Sequence, residues 1–187
     1  MVRIAPVKHF YMKVHSGMRH DRFPEFFNEF GIQLSALPGR WFTAPSPMVD
    51  GLYLPGFRAE DAAPDIGDSV ITETAGLGGF SMAAAPAIVQ FIGGSPSQAL
   101  TFTRRMYEIT MSEHPVYKIP ILGFRGTPTG IDLVKVVETG VLPVVNTGIA
   151  HREPGIGRGG AGIVRPPIAC FRKAILAFAE TMKKETP

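Results

Sequence analysis

Three polar, glycine-bearing stretches of the 187-residue chain carry residue types from which an anion site can be built. The first reads Asp65-Ile66-Gly67-Asp68, then Glu73-Thr74-Ala75-Gly76-Leu77-Gly78-Gly79. Glycine lets a ligand approach the backbone closely, and free amides at a helix start attract phosphate or carboxylate. Asp68, Thr74, Gly76, Gly78 and Gly79 are therefore candidate anion-binding residues, and Glu73 is a candidate acid or base. There is no Walker lysine, and GLGGF does not have GxGxxG spacing, so no nucleotide fingerprint is met. Tight helix–sheet packing would equally account for the glycines. Asp65, Asp68 and Glu73 are alternatively a set of oxygen ligands for a hard cation, although acids this close are more often surface groups and turn caps.

The second stretch is Phe124-Arg125-Gly126-Thr127-Pro128-Thr129-Gly130. Arg125 offers a bidentate fork, with Gly126 and Thr127 beside it, for a carboxylate or phosphate. An ordinary helix cap at Thr129, with Arg125 in solvent, is the competing reading. The third stretch, Asn146-Thr147-Gly148-Ile149-Ala150-His151-Arg152-Glu153, continues as PGIGRGGAG and follows the apolar run LPVV. Residues just beyond the carboxyl end of a strand are the usual site residues of α/β proteins. Asn146 can polarise a carbonyl, and His151 can move a proton near neutral pH. Thr147, Gly148 and Arg152 join them as anion-binding candidates, with Arg158 and Arg165 adding positive charge.

Other chemistries find no support. His9, His15, His20 and His114 share no metal spacing and no HExxH occurs, so no metal site and no cofactor are expected. The absence of a GxSxG elbow excludes hydrolase-type serine chemistry. Cys170 lies within an amphipathic pattern, far in sequence from any histidine, and reads as a small buried apolar residue.

The elements that must position these groups follow from periodicity. Residues 2–15 read as one or two short strands. Phe23, Phe26, Phe27 and Phe30 form a helical stripe over Arg22–Phe30, with Gly31 as its stop. Residues 34–50 hold several prolines and read as a long loop or linker, with a segment boundary near Asp50. Gly51–Phe57 reads as a strand ending in a turn, and the 76–79 glycines as the entry to an Ala-rich helix. Ser95-Pro96-Ser97-Gln98 is a capping box opening a secure helix through Thr110. Ile119–Gly123 should be a strand, 124–130 a turn, and Ile131–Thr139 a helix with Asp132 in its first turn and Gly140 after its end. Val141–Val145 reads as a buried strand, 146–162 as a glycine-rich loop, and Pro167 as the opening of the last helix. The alternation gives an α/β (α+β) protein with a mixed sheet, flanking helices and long Gly/Pro-rich loops. It divides into a short 1–50 segment and a 51–187 domain.

Composition agrees. The 21 glycines and 17 prolines sit beside 45% apolar residues, a pattern of many specified turns on a real core. A net charge of +3, scattered along the chain, argues against nucleic acid as a partner. One cysteine fits a reducing, cytoplasmic setting, and neither a signal peptide nor an apolar run long enough for a membrane helix is expected.

The strings DGLYLPGF, PDIGDSVITETAGLGGFSMAAAPAI and GFRGTPTGIDLVKVVETGVLPVVNTGIAHREPGIGRGGAGIVRPP occur in this order, closed by ACFRKAILAFAE. They resemble the C-terminal region of the DUF1116 family, which includes the YlbE/AllG-type subunit associated with oxamate carbamoyltransferase. The resemblance implies FdrA-like partner subunits in a homo- or hetero-oligomer. It also implies a small anionic substrate such as phosphate, oxalurate or oxamate, and carbamoyl transfer between oxalurate and phosphate in allantoin catabolism. Members of the family are generally more than twice as long. A non-catalytic scaffold subunit and a different small-anion enzyme are the competing functions.

Overall fold

The computed structural model describes residues 10–15, 29–67, 70–90 and 92–185. Strands β1 (Phe10–His15), β2 (Glu29–Leu34) and β3 (Trp41–Pro45) form an antiparallel sheet in that order. The edge strand β4 (Asp50–Tyr53) begins a second sheet, and a short helix α1 (Ile71–Thr74) follows. Helices α2 (Pro86–Gln90) and α3 (Pro96–Glu108) lead into the hairpin of β5 (Thr110–Ile119) and β6 (Arg125–Ile131). Helix α4 (Leu133–Thr139) precedes β7 (Val145–Ala150) and β8 (Arg158–Val164), and α5 (Ile168–Glu185) closes the chain. β8 lies between β4 and β7, antiparallel to both. The expected mixture of helices and sheet is present. Among the described residues the strands form three small antiparallel sheets, whereas one sheet of mixed direction was expected.

The helix ends obey local chemistry. At α3, the Gln98 amide donates to Ser95 Oγ while the Ser95 amide donates to Gln98 Oε1, and Pro96 opens the first turn. At α4, Asp132 Oδ1 accepts from the Val134 and Lys135 amides, and Gly140 closes the helix at φ 69°, a left-handed conformation that suits glycine. One apolar cluster joins β2, β3, α3, α5 and the end of β8; Phe30, Ile32, Met106 and Phe171 are all within it and fully enclosed. Each such large side chain contributes roughly 1.5–3 kcal/mol of burial.

Several elements differ from the sequence reading. Phe30 and Gly31 belong to β2, not to a helix end: Phe30, Ile32 and Leu34 point into the core at period two, and this alternation outweighs the helical spacing of the phenylalanines. The rest of that expected helix, 22–28, lies outside the described residues, as does 1–9 of the expected N-terminal strands. The presumed loop 34–50 contains β3, whose Phe42 and Ala44 are buried while Trp41 and Thr43 lie between exposed and buried. The Ala-rich helix is broken into two 3₁₀ turns, Gly78–Phe80 and Met82–Ala84, and Pro86 starts α2 separately. Residues 120–122 form a 3₁₀ turn, not a strand, while 125–131 form β6, not a turn. Pro128 is tolerated there because, among the described residues, β6 pairs with β5 alone and so is an edge. Val141 and Val144 are buried without being in a strand; β7 starts at Val145, and β7 and β8 together take up 146–150 and 158–162 of the presumed glycine loop.

The glycines of β8 show why 146–162 reads wrongly as a loop. β8 is a central strand, and a β-carbon on Gly160 or Gly162 would collide with the carbonyls of Leu52 or Asp50 in β4. Here glycine serves close strand approach, not chain freedom. Only 151–157 remain as the hairpin connection.

Candidate functional site

The first candidate site is already filled by a carboxylate of the same chain. Glu73, fully buried, accepts through Oε1 from the amides of Gly79 (2.9 Å) and Asn146 (3.0 Å), and through Oε2 from the Thr72 hydroxyl (3.1 Å). Burial pushes its carboxyl up to about 7, against the pull of these donors, which favour the ionised form. The turn is shaped around this group. A side chain on Gly78, at φ 58°, would meet the Glu73 carboxylate, and one on Gly79 would meet the Val144 carbonyl. A β-carbon on Gly76 would meet the hydroxyls of Thr127 and Thr129, so the turn also packs on β6. Thr127 Oγ1 is buried there and has no hydrogen-bond partner among the described residues. The Thr74 hydroxyl donates to the Ile71 carbonyl of its own short helix. Asp68 lies outside the described residues.

The second candidate is filled in the same way. Arg125 donates from Nε and Nη2 to Glu113 Oε1 (3.0 and 2.6 Å), and the Gly126 amide donates to Glu113 Oε2 (3.0 Å). The Arg125 guanidinium holds the Glu113 carboxyl below its ordinary range. The same guanidinium lies 4.0 Å from the centroid of the Tyr107 ring, and the Tyr107 hydroxyl donates to the Gly126 carbonyl. Fork, amide and anion are all present, but the anion belongs to the protein.

The third stretch is divided by the strand it builds. Asn146, near the start of β7, is held by Glu73 through its amide. Thr147 donates to Asp65 Oδ1 (3.0 Å), which also accepts the Gly67 amide. His151 follows at the other end, about 16 Å along an extended strand at 3.3 Å per residue. There a cavity of about 260 Å³ opens, lined by Ile66, Gly148, His151, Glu153 and Arg158 among others. His151 Nδ1 accepts from the Glu153 amide (2.9 Å), so the ring proton sits on Nε2, available as a donor. The ring packs edge-on against Phe57, and its backbone bridges to Ala62. Arg158 Nε donates to the Gly160 carbonyl (2.7 Å), which fixes the stem and leaves the terminal nitrogens for a ligand. Arg152 is exposed, and its amide donates to the Asp61 carbonyl.

Of the residues singled out from the sequence, Gly148, His151 and Arg158 therefore share the cavity. Glu73, Gly76, Gly78, Gly79, Thr127 and the Asn146 backbone form a separate buried knot, and Arg125 with Gly126 lies on the β5–β6 hairpin. Among the described residues no group of three His, Cys, Asp or Glu side chains is placed to hold a metal ion. No described helix is long and apolar enough to cross a membrane.

Comparison with known proteins matches this arrangement to a lineage. The family model for oxamate carbamoyltransferase subunit AllG matches residues 27–69. The oxamate carbamoyltransferase subunit AllG of Escherichia coli K12 is 49% identical over 156 residues, 83% of this chain. Over these residues the chain is similar to AllG subunits. The uncharacterized protein YahG of the same organism is 55% identical over 152 residues, 81% of the chain. A conserved protein of unknown function from Enterococcus faecalis V583, solved by crystallography, is 53% identical and superposes with a TM-score of 0.80 over 82% of the chain. The chain spans only about a third of the relatives it matches: 32% of YahG, 37% of AllG and 37% of the Enterococcus chain.

Arg158 and Glu153 are the charged side chains that line the cavity beside His151. Arg158 differs from Arg152 and Arg165 only in where β8 begins, which depends on pairing with β4 and β7. The Asp65–Thr147 pair, 82 residues apart, likewise has no local signature.

Proposed function

We propose that this chain contributes the anion-holding edge of an oxamate carbamoyltransferase of the AllG type, acting with FdrA-like partner subunits in allantoin breakdown. The observation that supports this reading is the cavity at the β7–β8 connection, where an arginine, a histidine N–H and a carboxylate converge among glycine backbones. Its volume of about 260 Å³ falls just under the roughly 300–1,000 Å³ of drug-sized sites and suits a metabolite. Oxalurate matches the three groups in kind. Its carboxylate pairs with Arg158, its ureido N–H groups donate to Glu153, and its carbamoyl oxygen accepts from His151 Nε2.

In the transfer, phosphate oxygen bonds to the carbamoyl carbon while the bond from that carbon to the oxamate nitrogen breaks. The proton released by phosphate goes to that nitrogen, giving oxamate and carbamoyl phosphate. A histidine donor at the carbamoyl oxygen stabilises the charge that develops there, an effect that removal of one such donor shows to be worth about 3–4 kcal/mol in a dry site.

The test is carbamoyl phosphate formation from oxalurate and phosphate by this chain co-expressed with FdrA-like subunits. His151→Ala and Arg158→Ala each should lower the rate at least about a hundredfold. Unchanged rates in both variants refute the assignment. A second reading, a non-catalytic part that completes a partner's site, is favoured by Glu73 and Glu113 already occupying the other amide clusters. It predicts turnover that needs the chain but is indifferent to both substitutions.

A further inference from the structure

The β5–β6 hairpin turns large apolar side chains to solvent at two places. Val116 (72% exposed) and Tyr117 sit where the register shifts between Glu113 and Lys118, and Ile121 (61%) and Phe124 (67%) sit at the tip. Single exposed apolar residues are ordinary; a concentration on one hairpin marks a surface that something covers.

The display is held in place. His114 Nδ1 accepts from the amides of Val116 (3.1 Å) and Tyr117 (3.0 Å), and the His114 ring stacks on Tyr117 with centroids 4.2 Å apart. At the tip, Phe124 has φ 59°, a left-handed conformation that a bulky side chain disfavours, and it follows Gly123 at φ 65°. The next residue, Arg125, is locked between Glu113 and the Tyr107 ring. A strained aromatic fixed in solvent brings this chain no packing of its own, and strain of this kind persists where function uses it. Side chains already ordered lose little entropy on association, which is how a few anchors come to dominate an interface.

The occupant follows from length. The relatives are 49–55% identical to this chain over the matched region, yet that region is only 32–37% of them. Such subunits therefore carry roughly twice as much further chain, and the exposed apolar hairpin offers it a place to pack. We propose that the β5–β6 hairpin, through Val116, Ile121 and Phe124, is the docking surface for the portion of AllG-type subunits that lies outside the matched region. This role is independent of whether the cavity binds an anion.

The experiment co-expresses the whole chain with a tagged polypeptide carrying the part of Escherichia coli AllG outside the matched 37%. Wild-type chain should co-purify with it, and Phe124→Gly and Ile121→Asp should each cut recovery about tenfold or more, as loss of an anchor does. Phe124→Gly should at the same time raise the thermal midpoint of the chain alone, because glycine accepts the left-handed conformation. Opposite signs on stability and association separate docking from mere folding. Absence of a complex overturns the proposal, as does recovery indifferent to both variants. Variants that abolish only self-association overturn it in favour of a second copy as occupant. A check free of fragment folding uses the intact Enterococcus protein, with a photo-crosslinker at the position aligned to Phe124. The crosslink should land in its own chain outside the matched third; a crosslink to another copy, or none, overturns the proposal.

Discussion

Glu73→Gln keeps the shape of the side chain and removes its charge from the buried knot that joins the 76–79 turn to β7. In the native protein Oε1 takes two amides and Oε2 faces the Thr72 hydroxyl. Glutamine retains the first arrangement, and the Thr72 hydroxyl can turn to accept from Nε2. The folded carboxyl holds its proton to about 7, against an ordinary 4.5. Below 4.5 both folded and unfolded chains carry the proton, and the contribution to stability is complete. As pH rises toward 7 the unfolded carboxyl ionises first, so stability falls, and above 7 it levels off. The gap corresponds to about 3 kcal/mol, or roughly 6–12 °C in thermal midpoint for a domain of this size. Urea denaturation at pH 5, 6, 7 and 8 should show the wild type losing stability across this window and Glu73→Gln losing about 3 kcal/mol less. Near pH 5 the two should lie close together, and near pH 8 the variant should be the more stable. Parallel curves would show that the proton is taken up elsewhere. A variant badly destabilised at pH 5 would show that the fold depends on the charge itself.

Gly79→Ala should destabilise the chain by several kcal/mol, since its β-carbon would strike the Val144 carbonyl, and denaturant titration reads this directly. Cys170 is enclosed, its thiol is pushed up to about 11 by burial, and its Sγ lies 3.5 Å from the Phe30 carbonyl. It should resist a thiol reagent in the native state and react fully in denaturant. Arg125→Ala removes an exposed pair with Glu113 and should shift the thermal midpoint by less than about 4 °C, leaving any anion binding intact.

What the sequence makes legible is what adjacent residues decide. The Ser95 capping box, the Gly140 stop and the helix after Pro167 are all settled within four or five positions. What it hides is decided across the chain. Gly160 and Gly162 have the composition of a loop, and only the carbonyls of β4 make them a central strand. The phenylalanines at 23, 26, 27 and 30 suggest a helix, while the partners of Phe30 in β3 and α5 favour a strand there. The anion-site signals in 73–79 and 125–127 point to real clusters of donors. Sequence gives no means of seeing that the anions are Glu73 and Glu113, because the Asn146 amide is 73 residues away from the carboxylate it meets.

The central claim is that an external anion binds at the β7–β8 connection and not at the clusters already filled by glutamates. Calorimetric titration of the whole chain with oxamate, and separately with inorganic phosphate, tests it most directly. The expected result is saturable binding that Arg158→Ala weakens about tenfold or more, the loss of one charge-assisted contact, while Arg125→Ala has no effect. Binding abolished by Arg125→Ala, binding untouched by Arg158→Ala, or no heat from either ligand would contradict it.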